Sequence, residues 1–247
     1  MIVKEVYAKT ILSKSKVSDY TINPYIGCEH GCTYCYARFM KRFTGHSEDW
    51  GSFVDVKINA ERLLKREIKK KKIGKVWISG MCDPYQPLEK KYELTKSCLE
   101  VLSNEAWLVT IQTKSPLVLR DIHLLKRFDD IEVGLSITTA DEDIRKIFES
   151  NAPSVKQRIE TLENLYSEGI KVFAMVAPVL PKVEGIVAQL SGKVDYVLID
   201  KMNYHYADRI YKKYDLEYAK TPSFFTQKKN ELSKAFKKEG ITCQLLF

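Results

Sequence analysis

The sequence predicts an α/β fold built on a parallel sheet. Short runs rich in β-branched and apolar residues alternate along the chain with longer stretches of helical periodicity. Each short run is nearly continuous in apolar residues, as strands buried on both faces of a parallel sheet are. No Gly/Ser linker and no repeat of fixed period interrupts this alternation, and 247 residues are enough for one such domain.

Six strands and six helices are predicted in alternation. The predicted strands are 21–27, 75–80, 106–113, 131–138, 171–178 and 194–200. The predicted helices are about 36–43, 58–72, 93–104, 116–127, 154–168 and 182–191. Such βα units join parallel strands through right-handed crossovers. Both a doubly wound sheet and a barrel are compatible with this pattern.

The helix that begins near residue 154 has the clearest boundary signals. Ser154 is the predicted N-cap, and Gln157 is the reciprocal partner of a capping box. Ile159, Leu162 and Leu165 then recur at helical spacing, and the helix is expected to stop at Gly169.

Reactive residue types follow the predicted strands. In either α/β arrangement the functional site lies at the carboxyl ends of the strands. Those ends carry Cys28 and the segments SGMCDPYQP, QTKSP, SITT, APVLP and DKMNYH. The sequence therefore places its candidate chemistry at one edge of the sheet.

The charge and the cysteine content narrow the function classes. The net charge is +8, with lysines in short clusters, which favours either a polyanionic partner such as DNA or RNA or solvated helix faces. No apolar run is long enough for a transmembrane helix, and MIVKEVYAKT lacks the features of a signal peptide. We therefore expect a cytoplasmic protein without membrane contact, whose six cysteines are metal ligands, catalytic groups or core residues.

Three cysteines fall close together in GCEHGCTYCYAR, with the spacing C-x3-C-x2-C at Cys28, Cys32 and Cys35. Zinc needs a fourth ligand, such as His30, His46 or a remote cysteine. A redox C-x2-C pair would leave Cys28 unexplained. An iron–sulfur cluster fits best, because three thiolates on four irons leave one iron open for chemistry.

The cysteine motif and several other segments resemble the radical S-adenosylmethionine superfamily. These segments are INPYIGCEHGCTYCYAR, CDPYQPLE, TKSPLVLRDI, SITT and APSVKQRIETLENLYSEGIKVFAMVAPVLP. They are most similar to the small proteins related to spore photoproduct lyase, over about residues 10–181.

The resemblance implies a fold and a set of cofactors. The fold is a partial TIM-like (β/α)6 barrel in a single domain over 1–247, with the barrel at about 20–200 and a helical and strand extension at about 201–247. The cofactors are a [4Fe-4S] cluster and S-adenosylmethionine, which yields a 5′-deoxyadenosyl radical after transfer of one electron. An external donor of the flavodoxin or ferredoxin type is implied as a partner.

The resemblance also implies cofactor contacts in the cysteine motif, at strand ends and on the capping-box helix. These residues are Tyr34, Ser79, Gly80, Asp83, Lys114, Ser136 and Arg158. The Gly-Gly-Glu segment that many members carry near the methionine amino group is replaced here by SGMCD. Arg158 is suited to bind a carboxylate of the cofactor through both guanidinium N–H groups. Each residue also has a plainer interpretation, such as a turn at Asp83 or a structural ion pair at Arg158.

Cys82 is the candidate catalytic thiol. In spore photoproduct lyase, a cysteine near this strand end returns a hydrogen atom to the product radical. The equivalent position in this chain is near Gly80, so a thiol that lines the cofactor or packs in the core is the alternative. Cys98 and Cys243 are expected in the core, and no histidine is assigned to catalysis.

Five tyrosines follow the last predicted strand, mixed with basic residues. They are Tyr204, Tyr206, Tyr211, Tyr214 and Tyr218, interspersed with Arg209, Lys212 and Lys213. An amphipathic helix that closes the barrel is the common meaning, and stacking on nucleic-acid bases is the other.

The reaction itself is open at this point. Candidates are a lyase or repair reaction on nucleic acid and a radical modification of a small molecule, peptide or protein. A non-catalytic metal-binding module is the third candidate.

Overall fold

The computed structural model describes all residues of the chain, 1–247. No helix in it is both long and apolar enough to cross a membrane. The chain forms two compact units, of which the first comprises Met1–Gly31 with Ala37–Val133 and the second Cys32–Tyr36 with Gly134–Phe247. The single domain expected from the sequence stays a prediction.

The first unit contains seven complete strands and five α-helices. The strands are β1 (Ile2–Val6), β2 (Leu12–Lys14), β3 (Tyr20–Ile22), β4 (Tyr25–Ile26), β5 (Phe53–Lys57), β6 (Lys75–Ile78) and β7 (Leu108–Thr113). The helices are α1 (Lys41–Thr44), α2 (Ala60–Glu67), α3 (Glu89–Tyr92), α4 (Leu94–Leu102) and α5 (Ile122–Leu125). Short 3-10 helices lie at Tyr36–Met40, Ile68–Lys70 and Pro116–Asp121.

Two sheets organise the first unit. In the larger one β3, β6 and β7 run parallel, β2 pairs antiparallel with β3, and the first half of β8 (Ile131–Ser136) lies beside β7. The smaller sheet has the order β1-β5-β4. The larger sheet buries apolar side chains from β3, β6 and β7: Ile22, Val76, Ile78, Val109 and Ile111.

The first predicted strand, 21–27, is wrong as a continuous element. β3 ends at Ile22, and β4 pairs with β5 in the other sheet. Pro24 interrupts the run because it has no N–H for a ladder. The Asn23 side chain also accepts hydrogen bonds from Ser79 Oγ at 2.6 Å and from the Met81 N–H at 2.8 Å, which turns the chain towards the end of β6.

The second unit contains the remaining strands and helices. The strands are the second half of β8, then β9 (Lys171–Val176), β10 (Tyr196–Ile199) and β11 (Thr242–Leu245), which lie side by side in chain order. The helices are α6 (Glu142–Phe148), α7 (Val155–Ser167), α8 (Ile186–Leu190), α9 (Asp208–Lys213) and α10 (Pro222–Lys238), with a 3-10 helix at Glu217–Lys220. β9, β10 and β11 are parallel.

The predicted α/β fold on a mostly parallel sheet is confirmed. The capping box of α7 is present as predicted, with the Ser154 side chain bound to the Gln157 N–H and the reciprocal bond also formed. Gly169 follows the helix with φ of 75°, a left-handed conformation that stops it. β1, β2, β5, α6, α10 and β11 were not predicted as individual elements.

Candidate active site

The three clustered cysteines lie on a loop at residues 27–35, here called the cysteine loop. Cys28 and Cys32 are 7% and 6% exposed, and Cys35 is half-buried. None of the three is in a disulfide. Two tight turns shape the loop, since the Gly31 N–H donates to the Cys28 carbonyl at 3.1 Å and the Cys35 N–H to the Cys32 carbonyl at 3.1 Å.

Asp83 holds the cysteine loop from the first unit. Its Oδ2 lies 3.2 Å from His30 Nε2, and both side chains are buried. Asp83 also accepts hydrogen bonds from Thr113 Oγ1 at 2.5 Å, from the Tyr85 N–H at 2.9 Å and from the Lys114 N–H at 2.7 Å. One carboxylate therefore ties the ends of β6 and β7 to the loop that carries the thiols.

The surroundings of Asp83 favour its charged form. Burial alone would raise the pKa of this carboxyl, but the electrostatic interaction with His30 and the hydrogen bonds from His30, Thr113 and Lys114 outweigh it and lower the pKa to about 2. Asp83 is therefore ionised at any physiological pH, and its oxygens are already engaged by donors of the chain itself.

The segment after Asp83 extends this contact along the cysteine loop. Gln86 accepts a hydrogen bond from the Glu29 N–H at 3.0 Å and donates to the Gly27 carbonyl at 3.4 Å. The Leu88 N–H donates to the Glu29 carboxylate at 2.6 Å. The segment DPYQPL (83–88) thus holds residues 27–30. We call these contacts, including the one between Asp83 and His30, the first clamp.

Close backbone approach limits the cysteine loop on its other side. A Cβ on Gly27 would lie 2.3 Å from the Phe53 carbonyl oxygen, and a Cβ on Gly51 would lie 2.8 Å from Gly31 Cα. Both glycines have φ in the left-handed region, at 89° and 102°. Only glycine fits at these two positions, so the loop has little room to move.

Ser79 and Cys82 meet at the end of β6. Ser79 Oγ donates to Asn23 Oδ1 and lies 3.1 Å from Cys82 Sγ. Gly80 stands between them with ordinary space around its Cα, since a Cβ there would lie 3.8 Å from Thr21 Oγ1. The structure therefore brings these three predicted site residues together.

Cys82 combines a protonated thiol with an apolar environment. Its side chain packs against the core cluster that contains Tyr25, Val54 and Leu94. Burial raises the pKa of the Cys82 thiol to about 12, although the hydrogen bond from Ser79 and the charge of Lys57 lower it in part. At neutral pH the S–H form is thus the populated one.

A second clamp holds the cysteine loop from the second unit. The Tyr34 hydroxyl donates a short hydrogen bond to Glu149 Oε1, and Thr138 Oγ1 donates to the same oxygen at 3.1 Å. Arg158 Nη2 lies 2.6 Å from Glu149 Oε2, with both side chains fully buried. The Thr33 N–H also donates to the Phe148 carbonyl at 2.9 Å. The central partner of Tyr34 is therefore a buried carboxylate.

Each of the three guanidinium nitrogens of Arg158 contacts the protein. Besides Glu149 it donates to the Ser136 carbonyl at 2.9 Å and to the Pro153 carbonyl at 2.9 Å. Burial alone would lower the pKa of Arg158, but the charge of Glu149 outweighs it and raises the pKa. The carboxylate that the sequence analysis assigned to a ligand is thus provided by Glu149, and this geometry favours the structural ion pair.

The remaining predicted contacts lie at strand ends. Ser136 is buried at the end of β8, and its carbonyl is the one that binds Arg158. Lys114 is half-buried directly after β7, with its backbone N–H on Asp83. Tyr34 is buried, and burial together with the charge of Glu149 raises the pKa of its hydroxyl.

Sequence reasoning missed two residues that hold the loop. His30 was given no role because no histidine has spacing to another, yet it is the partner of Asp83. Glu149 lies 115 residues from Tyr34, on a turn after α6, a helix that was not predicted. The sequence offered one signal for Glu149, namely an acidic residue that shortly precedes Arg158 on the capping-box helix.

The donor set fits an iron–sulfur cluster. Three cysteines without a disulfide share one short loop, and cluster irons bind cysteine thiolates. Neither ring nitrogen of His30 makes a hydrogen bond of good geometry within the protein, although Nε2 lies 3.2 Å from Asp83 Oδ2, so buried Nδ1 has hydrogen-bonding capacity left for a bound group. The side chains do not form a compact group for one metal ion, and a four-iron cluster spaces its thiolates more widely than one ion does.

A comparison with sequence models of protein families identifies the family of this chain. The sequence model of the radical SAM superfamily matches residues 22–185. The chain belongs to the radical SAM superfamily. An uncharacterised protein of Methanocaldococcus jannaschii is 38% identical over 215 residues, which are 85% of this chain and 81% of that protein. An uncharacterised protein of Acidianus two-tailed virus is 32% identical over 179 residues, which are 69% of this chain and 59% of that protein.

Solved structures with the same fold include other members of the radical SAM superfamily. Spore photoproduct lyase complexed with dinucleoside spore photoproduct has a TM-score of 0.73 at 15% identity, over 99% of this chain and 82% of that chain. SuiB of Streptococcus suis bound to its precursor peptide SuiA has a TM-score of 0.57 at 19% identity, over 92% of this chain and 48% of that chain. These likenesses confirm the predicted fold class, and with the family they make this chain an enzyme of radical SAM chemistry.

Proposed function

We propose that this radical SAM enzyme holds a [4Fe-4S] cluster on Cys28, Cys32 and Cys35 and binds S-adenosylmethionine at the iron that has no thiolate. The observation that carries the proposal is a short loop with three cysteines, in which Asp83 of the first unit holds His30 and Glu149 of the second unit holds Tyr34. When bound, the cluster and S-adenosylmethionine supply a carbon-centred radical that takes hydrogen from a substrate.

The two clamps fix where the thiolates stand. The first clamp acts through His30, and the second acts through the Tyr34 hydroxyl. Buried charge pairs are costly unless well bonded, so their presence around one loop indicates that its geometry matters more than stability alone. We assign Asp83 and Arg158 positioning roles, because their polar atoms are engaged by the protein.

His30 Nδ1 is the donor we assign to the cofactor side of the loop. It sits between Cys28 and Cys32 in sequence and is buried without a partner. Hydrogen bonds to cluster sulfurs raise the reduction potential. A His30→Gln variant with full iron content is therefore expected to show a changed potential by redox titration. An unchanged potential would remove this assignment.

At the strand ends, Ser79 and Gly80 are proposed near the methionine part of S-adenosylmethionine, and Lys114 and Ser136 at its carboxylate or ribose. On the cysteine loop, Tyr34 is proposed at its adenine. Gly80→Ala is the sharpest variant, because the structure has room for the methyl group. It is expected to fold normally and to bind S-adenosylmethionine more weakly in isothermal titration. Unchanged affinity would exclude a close approach of the cofactor to Gly80.

Cys82 is proposed as the thiol that gives its hydrogen atom to the product radical; the resulting thiyl radical returns to the thiol by taking up one electron from the external donor and one proton. Its support is a thiol held protonated by burial at the end of β6. A Cys82→Ala enzyme is expected to consume S-adenosylmethionine while releasing altered or incompletely quenched product. Product identical to that of the wild type would leave Cys82 as a packing residue.

We propose a lyase or repair-type reaction on nucleic acid, with an external one-electron donor of the flavodoxin or ferredoxin type. The support is the net charge of +8 and the fold shared with a spore photoproduct lyase that was solved with a dinucleoside photoproduct. Binding to labelled DNA and RNA should weaken steeply as salt rises. No affinity at low salt would turn the search towards peptide or small-molecule substrates.

The enzyme proposal is tested by anaerobic reconstitution. We expect about four irons and four sulfides per chain, loss of this content in Cys28→Ala, and 5′-deoxyadenosine after reduction with S-adenosylmethionine. Zinc bound without iron or sulfide would instead identify a non-catalytic metal-binding module.

A further inference from the structure

Three exposed tyrosine rings stack on each other beside the cysteine loop. Tyr36 directly follows Cys35, and its ring centroid lies 5.9 Å from that of Tyr204 with 22° between the planes. Tyr204 lies 6.1 Å from Tyr206 with 20° between the planes. These are offset-stacked geometries, and we call the set the tyrosine ladder.

The tyrosine ladder is exposed along its length. Tyr36, Tyr204 and Tyr206 are 41%, 49% and 40% exposed, although each ring is large and apolar. Single exposed aromatics are ordinary, but a contiguous stacked set is typical of a binding surface. The helical interpretation of the tyrosine-rich stretch thus fails for Tyr204 and Tyr206, which precede α9, and holds for buried Tyr211 within α9.

A structured turn presents the ladder at the carboxyl end of β10. Asp200 accepts hydrogen bonds from the Lys201 N–H at 2.8 Å and from Asn203 Nδ2 at 2.8 Å. Its own N–H and carbonyl bind β9 and the residues after it, at Val176 and Val179. The turn that leads to Tyr204 is therefore anchored to the sheet.

The stretch from position 201 to position 214, which carries Tyr204 and Tyr206, is mainly basic, although Asp200 and Asp215 flank it. Lys201, Arg209, Lys212 and Lys213 are exposed within the same stretch of chain. Asp208 is the single acidic residue between positions 201 and 214, and it pairs with Lys220 and with His205. Aromatic faces with surrounding cations are the combination that binds single-stranded nucleic acid, by stacking on bases and by contact with phosphates.

We infer that the tyrosine ladder is a stacking platform for unpaired bases of a single-stranded or locally opened nucleic acid. The inference rests on the proposed function, because it names the substrate class of that same site. Tyr36 is the rung next to Cys35, so a strand stacked on the ladder is guided towards the cysteine loop. A duplex keeps its bases stacked on each other and offers the ladder no free face.

The test is fluorescence anisotropy of the reconstituted holoenzyme with a labelled single-stranded oligonucleotide of about ten nucleotides, the length scale of such sites. A duplex of equal length is the comparison. We expect the single strand to bind more tightly, and the double variant Tyr204→Ala/Tyr206→Ala to weaken its binding at least about fivefold. The salt dependence should remain, because the phosphate contacts are left in place.

Matched variants separate stacking from general damage. Tyr204→Phe/Tyr206→Phe keeps the rings and is expected to retain wild-type affinity. Tyr166→Ala removes a 43% exposed tyrosine from α7, outside the ladder, and should change nothing. Melting curves check that every variant folds. Equal affinity of the double alanine variant and the wild type, or tighter binding of the duplex, overturns the inference.

The two proposals fail in different ways. A protein that forms 5′-deoxyadenosine but binds no oligonucleotide at low salt overturns the stacking platform and the nucleic-acid substrate, and leaves the radical SAM chemistry in place. A protein whose oligonucleotide binding depends on Tyr204 and Tyr206, but which forms no 5′-deoxyadenosine with its cluster present, overturns the enzyme proposal alone.

Discussion

Asp83→Asn is the substitution that tests how the cysteine loop is held. The carboxylate bonds to Thr113, Tyr85 and Lys114 and lies 3.2 Å from His30 Nε2. Asparagine has nearly the same shape, so the change removes charge and one acceptor without opening a cavity. The first clamp then loses its ionic contact to the cysteine loop.

The magnitude follows from the charge and the lost acceptor. The pKa of Asp83 is lowered from 3.8 to about 2. At about 1.4 kcal/mol for each pKa unit, the charged form contributes about 2 kcal/mol to folding at neutral pH. One buried donor left facing the asparagine amide adds about 1 to 3 kcal/mol. We expect a loss of about 3 to 5 kcal/mol, a large share of the stability of an ordinary domain.

The assay is urea unfolding of the cluster-free protein, together with iron content after anaerobic reconstitution. Asp83→Asn should lower the free energy of unfolding and the retained iron, whereas Asp129→Asn at an exposed position should change neither. The stabilisation by ionised Asp83 is present above the unfolded pKa of 3.8 and is lost as the pH falls towards 2. A change below about 0.5 kcal/mol at pH 7 would refute the reasoning, since that is what surface substitutions give.

Three further predictions concern the same loop and its surroundings. Glu149→Gln leaves Arg158 buried without its counter-charge and should cost about 3 to 5 kcal/mol in urea unfolding; a cost below 1 kcal/mol would contradict a buried pair. Gly51→Ala should reduce iron retention, because the new Cβ meets the backbone of the cysteine loop. Gly45→Ala is the control, since Gly45 also has positive φ but has open space around it, and this variant should retain iron. Equal iron retention by the two variants would contradict the close approach at Gly51. Burial would lower the pKa of His46, but hydrogen bonds to two carboxylates raise it above 6.5. The stabilisation by protonated His46 is therefore complete below pH 6.5 and is lost as the pH rises through the raised pKa. The free energy of unfolding of His46→Gln should lack this pH dependence, and a pH dependence equal to that of the wild type would assign it to another group.

Local patterns were sufficient to predict the framework. The helix α7 was predicted with its capping box and its stop, because both depend on residues within a turn of the helix ends. The buried strands β6 to β10 were predicted because each is a short apolar run between helices. The split of the first strand has a local cause in Pro24, which the prediction passed over, and a distant one in Asn23, whose partners lie after β6.

The cysteines of the loop could be selected from the sequence, whereas the residues that pair with Asp83, Tyr34 and Arg158 could not. The spacing of Cys28, Cys32 and Cys35 is a local signal that a sequence shows directly. Glu149 reaches Tyr34 across 115 residues, and this contact exists only after the second unit folds. Arg158 was expected to bind a carboxylate, which is what it does, but the carboxylate belongs to the chain. Residue type indicated the chemistry, and only the fold identified the partner.

The central claim is most directly tested by the 5′-deoxyadenosine formed per cluster when anaerobically reconstituted protein is reduced in the presence of S-adenosylmethionine. The account predicts formation by the wild type and by Cys243→Ala, a thiol on β11 outside the cysteine loop, and none by Cys35→Ala. A wild-type protein with its full iron and sulfide that forms no 5′-deoxyadenosine would contradict the account. Undiminished formation by Cys35→Ala would contradict it equally.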